Sequence, residues 1–310
     1  MDGADEALIG LVRELAGAGY DFVAPTPATQ SRVNARAGNE WARGVRDVFG
    51  WSRPFRPDTL PPAILTGAER AGILAPVPGG FRSRVRVSAL DGEIFVHSAY
   101  PTTEADSVFF GPDTYRFAAA LATDVPALAG QVRRAVDIGC GSGVGAAVLA
   151  KRLPGATVVA SDINEGALRL TRVNAALAGC DLELRKSDLL RSVEGDFDLI
   201  VSNPPYLLDP TERAYRHGGG ALGEGLSLRI VDEAIDRLAT GGTLILYTGV
   251  AIVDGRDGFR DAAKARLDAE GLAACYREVD PDVFGEELET PAYAHADRIA
   301  AVVLTATKPR

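Results

Sequence analysis

The chain has three cysteines and three histidines in 310 residues, and no apolar run approaches the roughly twenty residues needed to cross a bilayer. Cys140, Cys180 and Cys275 are too few and too scattered for a disulfide framework or a zinc site. His97, His217 and His295 lie far apart without metal-ligand spacing, so no metal is expected. Without a long apolar run, no membrane helix is expected. The acidic start, with Asp2, Asp5 and Glu6, is the opposite of a signal peptide's basic one. A cytoplasmic protein is therefore expected. Lysine is also scarce, and the formal net charge of −9 disfavours nucleic acid as a partner, because a basic face supplies most affinity for phosphate backbones. Two arginine groups run against that balance. Arg36, Arg43, Arg46 and Arg53 face Glu40 and Asp47, and Arg82, Arg84 and Arg86 alternate along an expected strand. Both read as solvated faces on which arginine replaces lysine.

The length exceeds that of one usual core and suggests a main domain of about 200 residues with an appendage. Ala7 to Ala18 has helical periodicity, with Leu8, Leu11, Val12 and Leu15 on one buried stripe. A second helix is expected from Thr29 to Val48. A third, from Ala63 to Leu74, follows the proline-rich stretch Pro54 to Pro62. Arg82 to Leu90 and Glu93 to Ser98 alternate and meet at Asp91-Gly92, a strong hairpin signal. Three helices and a hairpin predict a small winged-helix-like α+β domain over residues 1–108. It would serve substrate docking or dimerisation, since the shape alone names no function. The join runs through Tyr100 to Gly111, where Phe109-Phe110 could pack across the boundary.

From residue 109 the pattern changes to alternating strands and helices. The strand Arg134 to Ile138 runs into Gly139-Cys140-Gly141-Ser142-Gly143, and a helix follows from Val144 to Arg152. Such a turn brings backbone N–H groups close to a ligand. Its G-x-G-x-G spacing, with Val144 where a dinucleotide fingerprint has its third glycine, suits a compact nucleoside without a pyrophosphate. Cys140 reads as a small spacer. The next strand, Thr157 to Ala160, ends at Asp162-Ile163-Asn164, about twenty residues beyond the loop, where an acid can accept both hydroxyls of a ribose. The third, Leu182 to Arg185, ends at Asp188, which could accept from an adenine amine. Either aspartate could instead be a helix cap.

About sixty residues after the glycine turn, the apolar run Phe197 to Ser202 ends in Asn203-Pro204-Pro205-Tyr206. Proline cannot continue a central strand, so the tetrad is at least a turn. It also suits methyl transfer to a planar nitrogen. An –NH2 conjugated to a carbonyl or ring is a poor nucleophile. An Asn carbonyl and a backbone carbonyl of a rigid Pro-Pro turn can accept its two N–H groups and turn its lone pair outward. Tyr206 offers a face for stacking, and no base need remove a proton first.

These motifs together resemble class I S-adenosylmethionine-dependent methyltransferases of the HemK/PrmC-like, Asn-Pro-Pro-Tyr group, over roughly residues 109 to 305. The resemblance implies a cytosolic enzyme that uses S-adenosyl-L-methionine. It places the methionine part of that cofactor against Asp137, Gly139, Gly141 and Gly143, the ribose on Asp162 beside Asn164, and the adenine edge on Asp188. Asn203 and the Pro204 carbonyl would hold the target nitrogen next to the cofactor, with Pro205 stiffening the turn and Tyr206 stacking. Gly111-Pro112-Asp113-Thr114 is similar to the family's Arg-Pro-Glu-Thr-Glu stretch, although Gly111 replaces its Arg and Tyr115 its final Glu.

Further helices over Leu226 to Leu238 and Gly258 to Ala269 alternate with strands near Thr243 to Tyr247, Ala273 to Val279 and Ile299 to Thr305. Residues 109–310 thus predict an α/β, doubly wound, seven-stranded Rossmann-like sheet with an antiparallel last strand. Asp280 to Glu289 reads as a solvated acidic connection, and His217, before Gly218-Gly219-Gly220, as a loop histidine near a flap. The expected function is N-methylation, with a protein glutamine amide as leading acceptor. A nucleobase amine in RNA or DNA and a small-molecule amide or amine follow, and the non-enzymatic alternative is a cofactor-binding regulator.

Overall fold

The structure, a computed structural model, describes residues 1–209, 213 and 215–310. The chain opens with helices α1 (Gly3–Gly17), α2 (Pro27–Asn34), α3 (Val45–Phe49) and α4 (Pro62–Arg70). Strands β1 (Leu74–Val77), β2 (Gly80–Ser83), β3 (Val85–Leu90) and β4 (Glu93–Ser98) follow. Asp2 caps α1, accepting from the Asp5 N–H at 2.9 Å, and its predicted stripe is buried.

Two expectations for this region need correction. The helix predicted from Thr29 to Val48 stops at Asn34 and resumes only as α3. Gly38 has a φ of +83° and Gly44 is fully extended, and neither conformation continues a helix. The run containing Arg82, Arg84 and Arg86 is two strands. β2 pairs with β1 across Pro78-Gly79, and β3 pairs with β4 across Asp91-Gly92. Arg86 is buried, not solvated, and its guanidinium lies over the Phe22 ring, 5.5 Å from the centroid.

The remaining elements are α5 (Pro112–Asp124), β5 (Arg134–Ile138), α6 (Val144–Arg152), β6 (Thr157–Asp162), α7 (Glu165–Ala178), β7 (Glu183–Lys186) and β8 (Phe197–Ser202). After them come α8 (Gly225–Arg237), β9 (Leu238–Val253), β10 (Arg256–Asp257), α9 (Gly258–Ala269), β11 (Ala273–Asp280) and β12 (Arg298–Thr307). The main sheet has the order β11-β12-β9-β8-β5-β6-β7, with β10 paired to β9 off that path. Strands β7, β6, β5, β8 and β9 are parallel, and β12 inserts antiparallel between β9 and β11. This is the doubly wound, seven-stranded arrangement that the alternating pattern predicts.

Alternate residues of the central strands feed two cores, as a period of two requires. Val136, Ile200, Leu244 and Val302 meet α8 and α9 through Ile230, Ala234, Phe259 and Leu267. Ala135, Leu199, Ile245 and Val303 share a cluster with α6 and α7 and with Leu8, Phe22 and Phe95 of the first hundred residues. Polar ties reinforce that junction. Asp5 pairs with Arg169 at 2.7 Å. The buried Asn174 of α7 accepts the Val96 N–H at 2.8 Å and donates to the carbonyls of Val96 (2.9 Å) and Ser142 (2.8 Å). One side chain thus fastens the β3–β4 hairpin to the glycine turn.

Candidate active site

The carboxyl ends of β5, β6 and β8, together with the residues after β7, converge on a cavity of about 510 Å³. Its floor is the glycine turn. Gly139, Gly141 and Gly143 have φ values of +69°, +54° and +80°, a left-handed region that side chains avoid. A Cβ on Gly139 or Gly141 would meet no atom within 4 Å and would project into space a ligand could fill. Asp137 lies behind the turn, 1% exposed, and accepts the Ala146 N–H at the start of α6 at 2.9 Å. Burial pushes its carboxyl up to about 7, against the lowering effect of that hydrogen bond, and the Asp162 charge adds to the rise.

Asp162 accepts N–H groups from Gly141 (2.9 Å) and Asn164 (2.8 Å). Its carboxylate is thereby aimed at the cavity with lone pairs to spare, and burial raises its pKa. Ile163 beside it is 60% exposed and gives the cavity an apolar lip. Asn164 lines the cavity, but its side chain is engaged elsewhere. It caps α7 through Gly166 N at 2.8 Å and donates to the Asp106 carbonyl at 2.8 Å. Asp188 also lines the cavity and pairs with Arg191 (2.8 Å) and Arg229 (3.0 Å). Cys140 is buried, 3.4 Å from the Thr171 hydroxyl, and burial pushes its thiol up, which suits a spacer and not a nucleophile.

Asn203 directly follows β8, and Asn203, Pro204, Pro205 and Tyr206 all line the cavity. The Asn203 side chain is partly exposed there and has no hydrogen-bond partner among the described residues. Tyr206 is more confined than a free stacking platform, at 6% exposed. Its hydroxyl donates to Asp113 Oδ2 at 2.6 Å, and its ring meets Phe284 edge-on at 5.9 Å. It also packs so close to Gly249 that a Cβ there would lie 2.1 Å from its ring.

Residues 216–218 lie against the tetrad. Leu207 N–H donates to the Arg216 carbonyl, and Gly218 N–H to that of Leu207 at 2.8 Å. A Cβ on Gly218 would fall 2.7 Å from the Tyr206 Cα, so the glycines allow backbone to touch backbone. His217 is partly buried and accepts the Asp209 N–H on Nδ1 at 3.2 Å. Arg213 spans from Asp209 (2.7 Å) to the Thr102 carbonyl (3.4 Å), and the Tyr215 hydroxyl also donates to Thr102. Phe109 stacks parallel to Tyr215, with ring centroids 6.5 Å apart.

The reading of Asp280 to Glu289 as a solvated connection holds for Asp282, Glu286 and Glu289, which are exposed, and is corrected for Asp280, Phe284 and Glu287. Phe284 packs on Tyr206, Glu287 is buried and pairs with Arg216, and Asp280 pairs with Arg116 at 2.7 Å. Phe284 contributes to the cavity wall, and the Asp280 and Glu287 ion pairs hold the segment in place beside it. Sequence reasoning assigned no role to Tyr247, Arg116, Asn174 or Tyr215. Their contacts are long-range, and no local pattern announces them. Asp113 stood inside a recognised stretch, and its place near the head of α5 was the available signal.

Residues 108–251 match the family model of the methyltransferase small domain. A release factor glutamine methyltransferase from Deinococcus radiodurans is 38% identical over 166 residues, which is 50% of this chain and 55% of that protein. A ribosomal RNA small subunit methyltransferase C from Serratia proteamaculans is 37% identical over 107 residues, 33% of this chain and 31% of its own. A solved structure of a Pyrococcus horikoshii protein described as a transferase superposes with a TM-score of 0.50 at 14% identity, covering 72% of this chain and 71% of that one. The last likeness is one of fold. The chain spans about half the length of the curated relatives it matches.

Proposed function

We propose, from the match of residues 108–251 to the methyltransferase small domain, that this chain transfers a methyl group from S-adenosylmethionine to a planar nitrogen, with a protein glutamine amide as the leading acceptor. Asn203 carries the reading. Its amide has no protein partner among the described residues, and it opens into the cavity that also holds the glycine turn and Asp162. When bound, the cofactor supplies an electrophilic methyl on a sulfonium. The open space over Gly139 and Gly141 and the apolar lip at Ile163 fit such a ligand. Asp137, Gly139, Gly141 and Gly143 would flank its methionine part, Asp162 and the Asn164 backbone its ribose, and Asp188 its adenine edge.

At the other end of the cavity, the Asn203 side-chain oxygen and the Pro204 carbonyl accept the two N–H groups of the acceptor. The nitrogen is thereby fixed with its lone pair free, and both acceptors are set before reaction by the strand end and the proline ring. The proton leaves as the new N–C bond makes the nitrogen acidic, and no buried base is required.

A glutamine acceptor is supported by release factor glutamine methyltransferases that match at 34% to 38% identity. The match to a ribosomal RNA methyltransferase supports a nucleobase amine as the second reading. A regulator without turnover would need neither a free Asn203 nor paired prolines. Residues 1–108 would dock the acceptor, since Pro27, Tyr100 and Thr102 line the cavity. We place the protein in the cytoplasm, in keeping with its free thiols at Cys140, Cys180 and Cys275.

The test is incubation with methyl-labelled cofactor and separated protein, RNA and small-molecule fractions of a lysate. Label recovered as N-methylglutamine after digestion of the protein fraction upholds the leading acceptor. Label in RNA transfers the conclusion to the second reading. Cofactor binding with no label in any fraction sinks the enzymatic reading.

A further inference from the structure

Asp113 is a buried carboxylate that the methyl-transfer chemistry does not use. It is 4% exposed and is the second residue of α5, yet it meets residues far along the chain. Its Oδ2 accepts from the Tyr206 hydroxyl at 2.6 Å, and its Oδ1 accepts from the Tyr247 hydroxyl at 2.7 Å. Both distances are those of charge-assisted O–H···O bonds. Arg116, one turn on, lies 3.3 Å from the same carboxylate and reaches Asp280 at 2.7 Å. One acid therefore links the tetrad after β8, the middle of β9 and, through Arg116, the segment that brings Phe284 onto the Tyr206 ring.

The ring of Tyr206 thus has three contacts: Asp113 at its hydroxyl, Gly249 close against one edge and Phe284 edge-on to it. Burial and the adjacent carboxylate keep its hydroxyl protonated, well above the usual tyrosine range, so Tyr206 acts by position and not as a base. The backbone of Tyr206 continues directly from the Pro204 and Pro205 carbonyls. With its far end bonded to Asp113, the ring resists displacement of the Tyr206 Cα, and hence of the Pro204 and Pro205 carbonyls that precede it.

We infer that Asp113 is a positioning residue of the transfer site, which sets the Asn203–Tyr206 turn by anchoring the Tyr206 hydroxyl. The inference rests on the methyl-transfer reading of the site, and its test needs no acceptor. S-adenosylhomocysteine lacks the transferable methyl. Sinefungin carries a protonated amine at that place, which can donate to the Asn203 and Pro204 oxygens. The ratio of the two affinities therefore reports the geometry of the turn, while the S-adenosylhomocysteine affinity alone reports the cofactor end.

By calorimetry on the full chain, wild type should bind sinefungin about tenfold more tightly than S-adenosylhomocysteine, the worth of one charge-assisted bond. Asp113→Asn keeps the volume but offers one oxygen to two hydroxyl donors. It should erase most of that preference and leave the S-adenosylhomocysteine affinity within twofold. Tyr206→Phe, which keeps all packing, should do the same, and the double variant should be no worse, because the two groups act as one unit. Tyr247→Phe removes the other bond to Asp113 and should keep the preference. A preference unchanged in Asp113→Asn and Tyr206→Phe, or lost equally in Tyr247→Phe, overturns the inference. If Asp113→Asn does not fold, the Tyr206→Phe and Tyr247→Phe pair decides alone. No preference in wild type would instead sink the methyl-transfer reading of the turn.

Discussion

Asp137 makes cofactor-free stability depend on pH in a direction that can be worked out beforehand. Its carboxyl lies behind the glycine turn and is pushed from an ordinary 3.8 to about 7, chiefly by burial. The folded state therefore holds this proton more tightly than the unfolded one. The stabilisation is complete below about 3.8 and is lost as the pH climbs to about 7. That displacement corresponds to about 4 kcal/mol, or roughly 8 °C in melting temperature at about 2 °C per kcal/mol for a chain of this size. Asp137→Asn keeps an oxygen for the Ala146 N–H and removes the ionisation. Melts of both proteins, without cofactor, from pH 5 to 8.5 isolate the effect of the Asp137 ionisation together with its coupling to Asp162, because Asp113 and Glu233, which are also raised, drop out of the difference. The melting temperature of the variant should gain on that of wild type by several degrees between pH 5 and pH 8, since about two of the three pH units of the window lie in that range. A gap that does not change with pH would refute the reasoning.

Other perturbations give separable outcomes. Asp162→Asn should weaken S-adenosylhomocysteine by about 1–3 kcal/mol, roughly 5- to 150-fold by calorimetry, through loss of charge-assisted bonds. Gly139→Ala puts a side chain at a φ of +69°. It should cost about 1–2 kcal/mol of stability in denaturant titration, and the added methyl, entering the cavity, should lower cofactor affinity. Gly249→Ala would place a Cβ 2.1 Å from the Tyr206 ring. The displaced ring should reduce turnover at least about tenfold and leave S-adenosylhomocysteine binding within twofold.

The doubly wound part of the chain was legible because its motifs are local. Gly139 to Gly143, Asp162, Asp188 and Asn203 each end or follow a strand of a parallel sheet, and the doubly wound pattern carries them to one edge. The turn at Asp91-Gly92 was legible for the same reason, as its positive φ values need those residues. What failed was decided at a distance. Phe284 and Glu287 look like parts of an acidic loop until Tyr206 and Arg216 are placed opposite them. Asp113 looks like a helix-start acid until two tyrosines from β9 and the tetrad turn toward it. The helix expected to run to Val48 is interrupted by the glycines at 38 and 44, whose conformations no helix shares.

Methyl transfer as proposed requires Asn203 to act on the acceptor and not on the fold or the cofactor. Once the labelled fraction is known, that is measured by comparing Asn203→Ala with wild type for both label transfer and S-adenosylhomocysteine affinity. Transfer should fall by about 10²- to 10³-fold, as for loss of one pre-set polar contact, with affinity unchanged within twofold. A parallel fall in both, or transfer that survives the substitution, would contradict it.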